Sequence, residues 1–307
     1  MIVWWNGLAE HLRQGDHGAR RAEALAARLP ALLVAAERVA ATVAQGVHGR
    51  RRAGRGDSFW QFRHFGVGDS PARIDWRRSA RSGRPDAAGW FVREAEWEAA
   101  QTVCLWRDGS ASMNWRSAHA SSTKRERAEL LLLALAALLL RGGERAALIA
   151  DPLRPVAGRA GLNTLAAMLA VAASESEAAG LPPPVALPRH AKIVLLSDFL
   201  TDLADVQALI SRLAALPATG YLLQVLDPAE ILLPYEGRVR FLGLEREPAA
   251  LVPRVESVRE AYANRLRGAQ ESLLAMCRAA GFGFGVHRTD HPPEMALLGL
   301  YAALADR

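Results

Sequence analysis

From residue 101 onward, short apolar runs alternate with longer stretches of helical period. Thr102–Trp106, Arg145–Ala150, Lys192–Leu196, Tyr221–Leu226 and Phe282–His287 read as strands. Thr123–Arg141, Leu165–Ala173, Leu203–Leu213 and Val255–Ala279 read as helices between them, the first ended by Gly142–Gly143. Leu130–Leu140 is apolar without interruption, which predicts a helix buried on every side; a membrane span needs about twenty such residues. Arg154–Ala157 suits a short edge strand and Arg238–Leu242 an added hairpin. Strands alternating with helices predict an α/β fold, a doubly wound and mostly parallel sheet.

The first third of the chain differs in kind. Ala22–Val43 has helical spacing, with Pro30 near a helix start. Gln45–Trp97 is rich in Gly, Arg and Trp and lacks long periodic stretches, which predicts an irregular segment with short strands. The expected division is therefore 1–97, an N-terminal helix plus Arg/Trp-rich segment, and 98–307, the α/β domain with its hairpin. Charge follows the same division. The net charge is +6, yet His48–Arg93 alone carries eleven Arg against four Asp, or +7. Such asymmetry points to an acidic partner or nucleic acid. Two features argue against nucleic acid. Asp69 and Asp75 alternate with Arg73, Arg77 and Arg81, as internal ion pairs would, and Lys occurs only at Lys124 and Lys192. Two cysteines, Cys104 and Cys277, both in apolar stretches, read as buried thiols rather than a disulfide framework. No signal peptide pattern opens the sequence, and a cytoplasmic location is expected.

The candidate chemistry lies in the loops after the strands. In doubly wound sheets, ligands bind beyond the carboxyl ends of the strands. Asp108-Gly109-Ser110-Ala111-Ser112 follows the first strand, Asn163-Thr164 stands at an expected helix start, and Ser197-Asp198 follows Lys192–Leu196. Carboxylates and hydroxyls gathered at one sheet edge suit a hard divalent cation, magnesium first, with manganese or calcium as alternatives. The bland reading is that Ser and Asp are common turn and cap residues, so the string Asp-x-Ser-x-Ser alone is a weak signal. His287, Asp290 and His291 read as a strand end and a turn rather than a metal cluster.

The order of these three loops resembles a von Willebrand factor A domain with its metal-ion-dependent adhesion site. Upstream, Gly46-Val47-His48-Gly49, Arg55-Gly56-Asp57-Ser58-Phe59, Phe62-Arg63, Gly68-Asp69 and Ile74-Asp75-Trp76-Arg77-Arg78-Ser79-Ala80-Arg81 follow in sequence. This series resembles the signature of the bacterial family called domain of unknown function 58. The resemblance runs over roughly residues 20 to 305. It implies a von Willebrand A-like fold and a metal site of Asp108, Ser110, Ser112, Thr164 and Asp198. It also implies an adaptor or co-chaperone role beside a MoxR-type AAA+ ATPase and other von Willebrand A proteins. Arg55, Arg63, Asp69, Asp75, Trp76, Arg77, Arg78 and Arg81 would then be partner-binding residues. Two positions depart from the usual pattern: Arg107 precedes Asp108, where its cation could weaken metal binding, and Phe199 follows Asp198, where Gly is common.

Function is accordingly expected to be metal-dependent protein binding, not catalysis. The alternatives are a structural scaffold with an unused metal site, a magnesium-dependent phosphotransferase with Asp108 as nucleophile, and a nucleic-acid binder. The phosphotransferase lacks the second carboxylate that such enzymes carry two residues on, where Ser110 stands, and no Ser/His/Asp or Cys/His spacing or phosphate-binding glycine loop appears.

Overall fold

A computed structural model describes residues 30–44, 59–66, 71, 74–84, 89–95, 101–175, 180–244 and 248–305. They fall into two compact units, His48–Ala100 and the rest of the chain.

The larger unit is built on five strands: β3 (Thr102–Arg107), β4 (Arg145–Leu148), β5 (Lys192–Ser197), β6 (Thr219–Leu226) and β9 (Gly283–Arg288). All four pairings are parallel, in the order β4-β3-β5-β6-β9. Helix α1 (30–44) precedes them in sequence; α3 (Lys124–Arg141) joins β3 to β4, α4 (Gly158–Glu175) joins β4 to β5, and α5 (Leu203–Ala214) joins β5 to β6. After β6 come α6 (Pro228–Leu232), the antiparallel hairpin β7 (Val239–Phe241) and β8 (Ala250–Val252), and then α7 (Arg259–Ala279) leading to β9; α8 (Pro293–Ala305) closes the unit.

Strand alternation sorts the side chains to two faces. Val103, Leu105, Val194, Leu196, Leu223 and Val225 join the core beneath α1, α3, α4 and α8. Cys104, Trp106, Ile193, Leu195 and Leu222 join the core beneath α5 and α7. The sheet is therefore doubly wound, as the alternating pattern predicts. Helix α3 is enclosed almost throughout: Leu131, Leu132, Leu133 and Leu135 are fully buried. A helix apolar on every side needs such enclosure. Thr123 and Glu126 form a reciprocal capping box that fixes its first residue as Lys124.

Four elements differ from the sequence reading. Ala36, Val39, Ala40 and Val43 of α1 pack in the α3 core, so that helix belongs to the α/β unit and not with the Arg/Trp-rich segment. Helix α4 begins at Gly158, well before Leu165. Leu162, Leu165, Ala166 and Leu169 form one buried stripe, and its spacing outweighs the capping character of Asn163 and Thr164. The edge-strand candidate at Arg154–Ala157 reduces to one bridge, Val156 to Ala146. Helix α8 has no counterpart in the sequence reading, although Leu297, Leu300 and Leu304 give it a buried stripe.

On β9, Gly283 and Gly285 leave room for the ring of Tyr221 on β6. An added Cβ would lie 2.4 Å from Tyr221 Cδ2 at Gly283 and 2.5 Å from Tyr221 Oη at Gly285. Gly283→Ala is expected to cost about 1–3 kcal/mol through overpacking. Urea unfolding should show this as a lower midpoint; an unchanged midpoint would mean the ring is free to move aside.

Among its described residues, the smaller unit pairs β1 (Phe59–His64) antiparallel with β2 (Phe91–Ala95) and carries the short helix α2 (Trp76–Ser79), which runs on into a 3-10 turn at Ala80–Ser82. Asp75 caps α2, accepting the Arg78 N–H at 2.9 Å, and the Ser79 hydroxyl accepts the Phe91 N–H at 2.9 Å.

Candidate functional site

Strand β3 lies between β4 and β5, and its chain connections leave toward β4 on one side and return to β5 on the other. The carboxyl ends of β3 and β5 therefore flank the switch point, where a doubly wound sheet opens a crevice. Asp108 follows β3 and Asp198 follows β5.

The two loops meet through hydrogen bonds. Asp108 Oδ1 accepts the Ser110 N–H at 2.7 Å, and Asp108 Oδ2 accepts the Ser197 hydroxyl at 2.6 Å. Ser110 Oγ and Ser112 Oγ are 3.1 Å apart, and Ser112 Oγ donates to Asp198 Oδ2 at 2.7 Å. The Asp198 carbonyl accepts from Gln224 Nε2 of β6 at 2.7 Å, which fixes the β5 loop. Phe199 turns that loop with φ 47°, the left-handed region where glycine is usual.

Lys124 completes the centre. Its side chain is wholly buried, and Nζ donates to Asp198 Oδ2 at 2.7 Å and to Glu230 Oε1 of α6. Burial opposes charge on Lys124, but the carboxylates of Asp198 and Glu230 outweigh it and hold its pKa above the ordinary lysine value. Burial raises the carboxyl of Glu230, with Lys124 opposing. Burial also raises Asp108, against the hydrogen bonds from Ser197 and Ser110. Asp227, fully buried, accepts the Ser117 and Ala229 N–H groups at 2.9 and 2.8 Å and shares a capping box with Glu230.

Of the five residues expected to share a cation, Asp108, Ser110, Ser112 and Asp198 come together and Thr164 does not. Thr164 stands on the exposed face of α4, its hydroxyl donating back to the Ala160 carbonyl at 3.4 Å. Arg107 points to the face covered by α3 and α4, where its Nε lies 3.0 Å from Glu129 Oε1. Its contact with Asp108 is to the carbonyl oxygen at 3.3 Å. Lys124 and Glu230 escaped the sequence reading. The signals available were a lysine, one of two in the chain, at the first position of an apolar helix, and the Asp227-x-x-Glu230 capping box.

The donor set can be tested against magnesium. Neighbouring ligands of an octahedral ion with bonds of about 2.1 Å sit about 3.0 Å apart. The spacings of Ser110, Ser112 and Asp198 approach that value. The rest of the set does not fit. Both Asp108 oxygens are engaged, Thr164 is elsewhere, and Asp198 Oδ2 already holds an ammonium. A divalent ion on that oxygen would stand within about 4.8 Å of Lys124 Nζ, a repulsion of about 7 kcal/mol at an effective dielectric of about 20. Among the described residues, no group of three or more His, Cys, Asp or Glu could hold a metal ion.

In the smaller unit, Asp75 is the α2 cap, exposed Trp76 meets Trp90 edge-on at 5.6 Å, and the Arg78 guanidinium lies 5.5 Å from the Phe91 ring centre. Arg78 and Arg81 line an open cavity of about 330 Å³ with His64, Arg84 and Phe91. Arg77 is exposed and Arg63 lies in β1; Arg55 and Asp69 fall outside the described residues.

Residues 61–272 match the family described as "Protein of unknown function DUF58". The chain belongs to this family. Two solved structures align with this DUF58 chain. A conserved hypothetical protein BatB from Bacteroides thetaiotaomicron is 14% identical, covers 67% of this chain and 98% of its own, and gives a TM-score of 0.36. An aerotolerance-related membrane protein from Bacteroides fragilis is 15% identical, covers 68% and 100%, and gives 0.35. No curated protein matches. Among the described residues, no helix is long and apolar enough to cross a membrane.

Proposed function

We propose that this chain is a non-enzymatic protein-binding adaptor or co-chaperone. Its partner, a MoxR-type AAA+ ATPase, docks on the carboxyl rim of the parallel sheet. The observation that carries this reading is a sealed polar centre with an apolar rim. Asp108, Asp198 and Lys124 are 4% exposed or less. Leu200, two residues after Asp198, is 48% exposed, and Leu232, two residues after Glu230, is 51% exposed. The hairpin that follows α6 adds Leu242 and Leu251, both more than half exposed. Large apolar side chains around a polar centre suit a protein partner better than a small substrate. The hydroxyls of Ser112 and Ser197 donate to carboxylates, and the centre as described contains no histidine to serve as their base, which supports binding over nucleophilic chemistry. The arginine-lined cavity of the smaller unit supports a further contact with an acidic segment of the partner.

The test is equilibrium binding to the MoxR-type ATPase of the same organism. The double variant Leu200→Glu, Leu232→Glu should weaken binding at least tenfold, about 1.4 kcal/mol or more, with its melting temperature unchanged. Absence of wild-type binding, or full affinity in the double variant, would sink the reading.

A further inference from the structure

We propose that the ammonium of Lys124 is the resident cation of the switch-point centre, and that the centre operates without a divalent metal. The geometry is specific to this side chain. The capping box of Thr123 and Glu126 sets the start of α3, and Lys124, its first residue, reaches into the crevice with no exposed surface. Its Nζ bridges Asp198, after β5, and Glu230, after β6, so one cation ties α3 to two separate strand ends. Ser112 Oγ shares the same Asp198 oxygen, and Ser110 Oγ is one hydrogen bond further. Lys124 therefore holds the carboxylate through which a metal would link the first and third loops.

The choice of residue supports this. The chain has 38 Lys and Arg, of which two are lysine. An ammonium is a compact point charge with three donors, able to sit among oxygens as a small ion does, whereas a guanidinium is a planar fork that spreads its donors. Elsewhere in this unit, buried basic side chains reach carbonyl oxygens as arginines: Arg125 to Gly109, and Arg127 to Thr289 at 2.8 Å. Arg107 takes one carboxylate, that of Glu129, and the other lysine, Lys192, is partly buried and reaches the carbonyl of Leu304; Lys124 is the lysine whose ammonium bridges two carboxylates.

The proposal is independent of any partner, and so is its test. Protein stripped with EDTA is titrated with magnesium, manganese or calcium chloride and followed by calorimetry and thermal melting. The wild type should show no binding heat and no change in melting temperature up to millimolar ion. Lys124→Ala, which leaves Asp198 and Glu230 without a counter-charge, should melt about 6–15 °C lower in EDTA. Magnesium, manganese or methylammonium should raise the melting temperature of that variant and leave the wild type unmoved. Sub-millimolar binding of a divalent ion by the wild type, or a melting temperature lowered by EDTA, overturns the proposal. So does a Lys124→Ala protein as stable as the wild type in EDTA. If the variant does not fold, the wild-type titration still decides.

Discussion

Lys124→Met is expected to remove about 3–5 kcal/mol of folding stability, read as a large fall in the denaturant midpoint with the slope retained. Methionine keeps the apolar stem of lysine and lacks only the terminal ammonium, so the loss is chiefly electrostatic. The variant leaves Asp198 and Glu230 facing each other with no cation between them, both more than four-fifths buried as side chains. Removing one member of a buried ion pair costs far more than replacing the pair, because the remaining charge has lost its water as well as its partner. That asymmetry gives a second measurement. Adding Glu230→Gln to Lys124→Met should recover at least about 1 kcal/mol, since it deletes one of the stranded charges. A loss below about 1 kcal/mol in the single variant, or strict additivity in the double, would mean that water reaches the centre and that Lys124 is not what balances it.

The parts of the molecule that the sequence made legible are those governed by periodicity. Ile193, Val194, Leu195 and Leu196 form a short apolar run, β-branched at Ile193 and Val194, that reads as a strand buried on both faces, and β5 is that strand at the centre of the sheet. The apolar run in α3 demanded enclosure, and enclosure is observed. The loops are placed by the strands they follow, which puts Asp108 and Asp198 at the same sheet edge. What failed to show was whatever depends on chain segments meeting at a distance. Asn163 and Thr164 have the chemistry of a helix start, and local propensity could not reveal that the stripe beginning at Leu162 continues α4 back to Gly158. Helix α1 reads as separate because a run of Gly, Arg and Trp intervenes, yet its stripe of Ala36, Val39, Ala40 and Val43 completes the α3 core. Lys124 escaped notice for the same reason. Its partners lie 74 and 106 residues away, a separation that no sequence window covers. Arg107 shows the converse. Adjacent to Asp108 in sequence, it faces the other side of the strand, where Glu129 neutralises it, because successive strand residues point in opposite directions.

Acid should weaken this fold through His287 well before the general loss of carboxylate charge. His287 is 5% exposed, and its Nε2 lies 3.2 Å from Arg127 Nη1. A guanidinium can only donate, so Nε2 must be the acceptor and the ring must be neutral. Burial is the main cause that pushes the His287 pKa down to about 4, with the Arg127 and His291 charges adding to it and Asp290 opposing. In the unfolded chain the imidazole titrates at its ordinary value, near 6.5. Between those two values the unfolded chain binds a proton that the native state refuses, so stability falls as pH drops through that window and is fully present above it. From pH 7 to 4.5 the loss from this one group is about 2.5 kcal/mol. Asp108 and Glu230 act in the opposite sense, since burial raises both carboxyls and the native state takes up their protons first. The effect of His287 is therefore isolated by difference. His287→Gln keeps an acceptor for Arg127 but cannot take a proton, and its stability should decline less than the wild type's over the same range by about that amount. Equal declines in urea unfolding at pH 7 and 4.5 would show that the imidazole is protonated in the folded protein and that Arg127 does not face it as described.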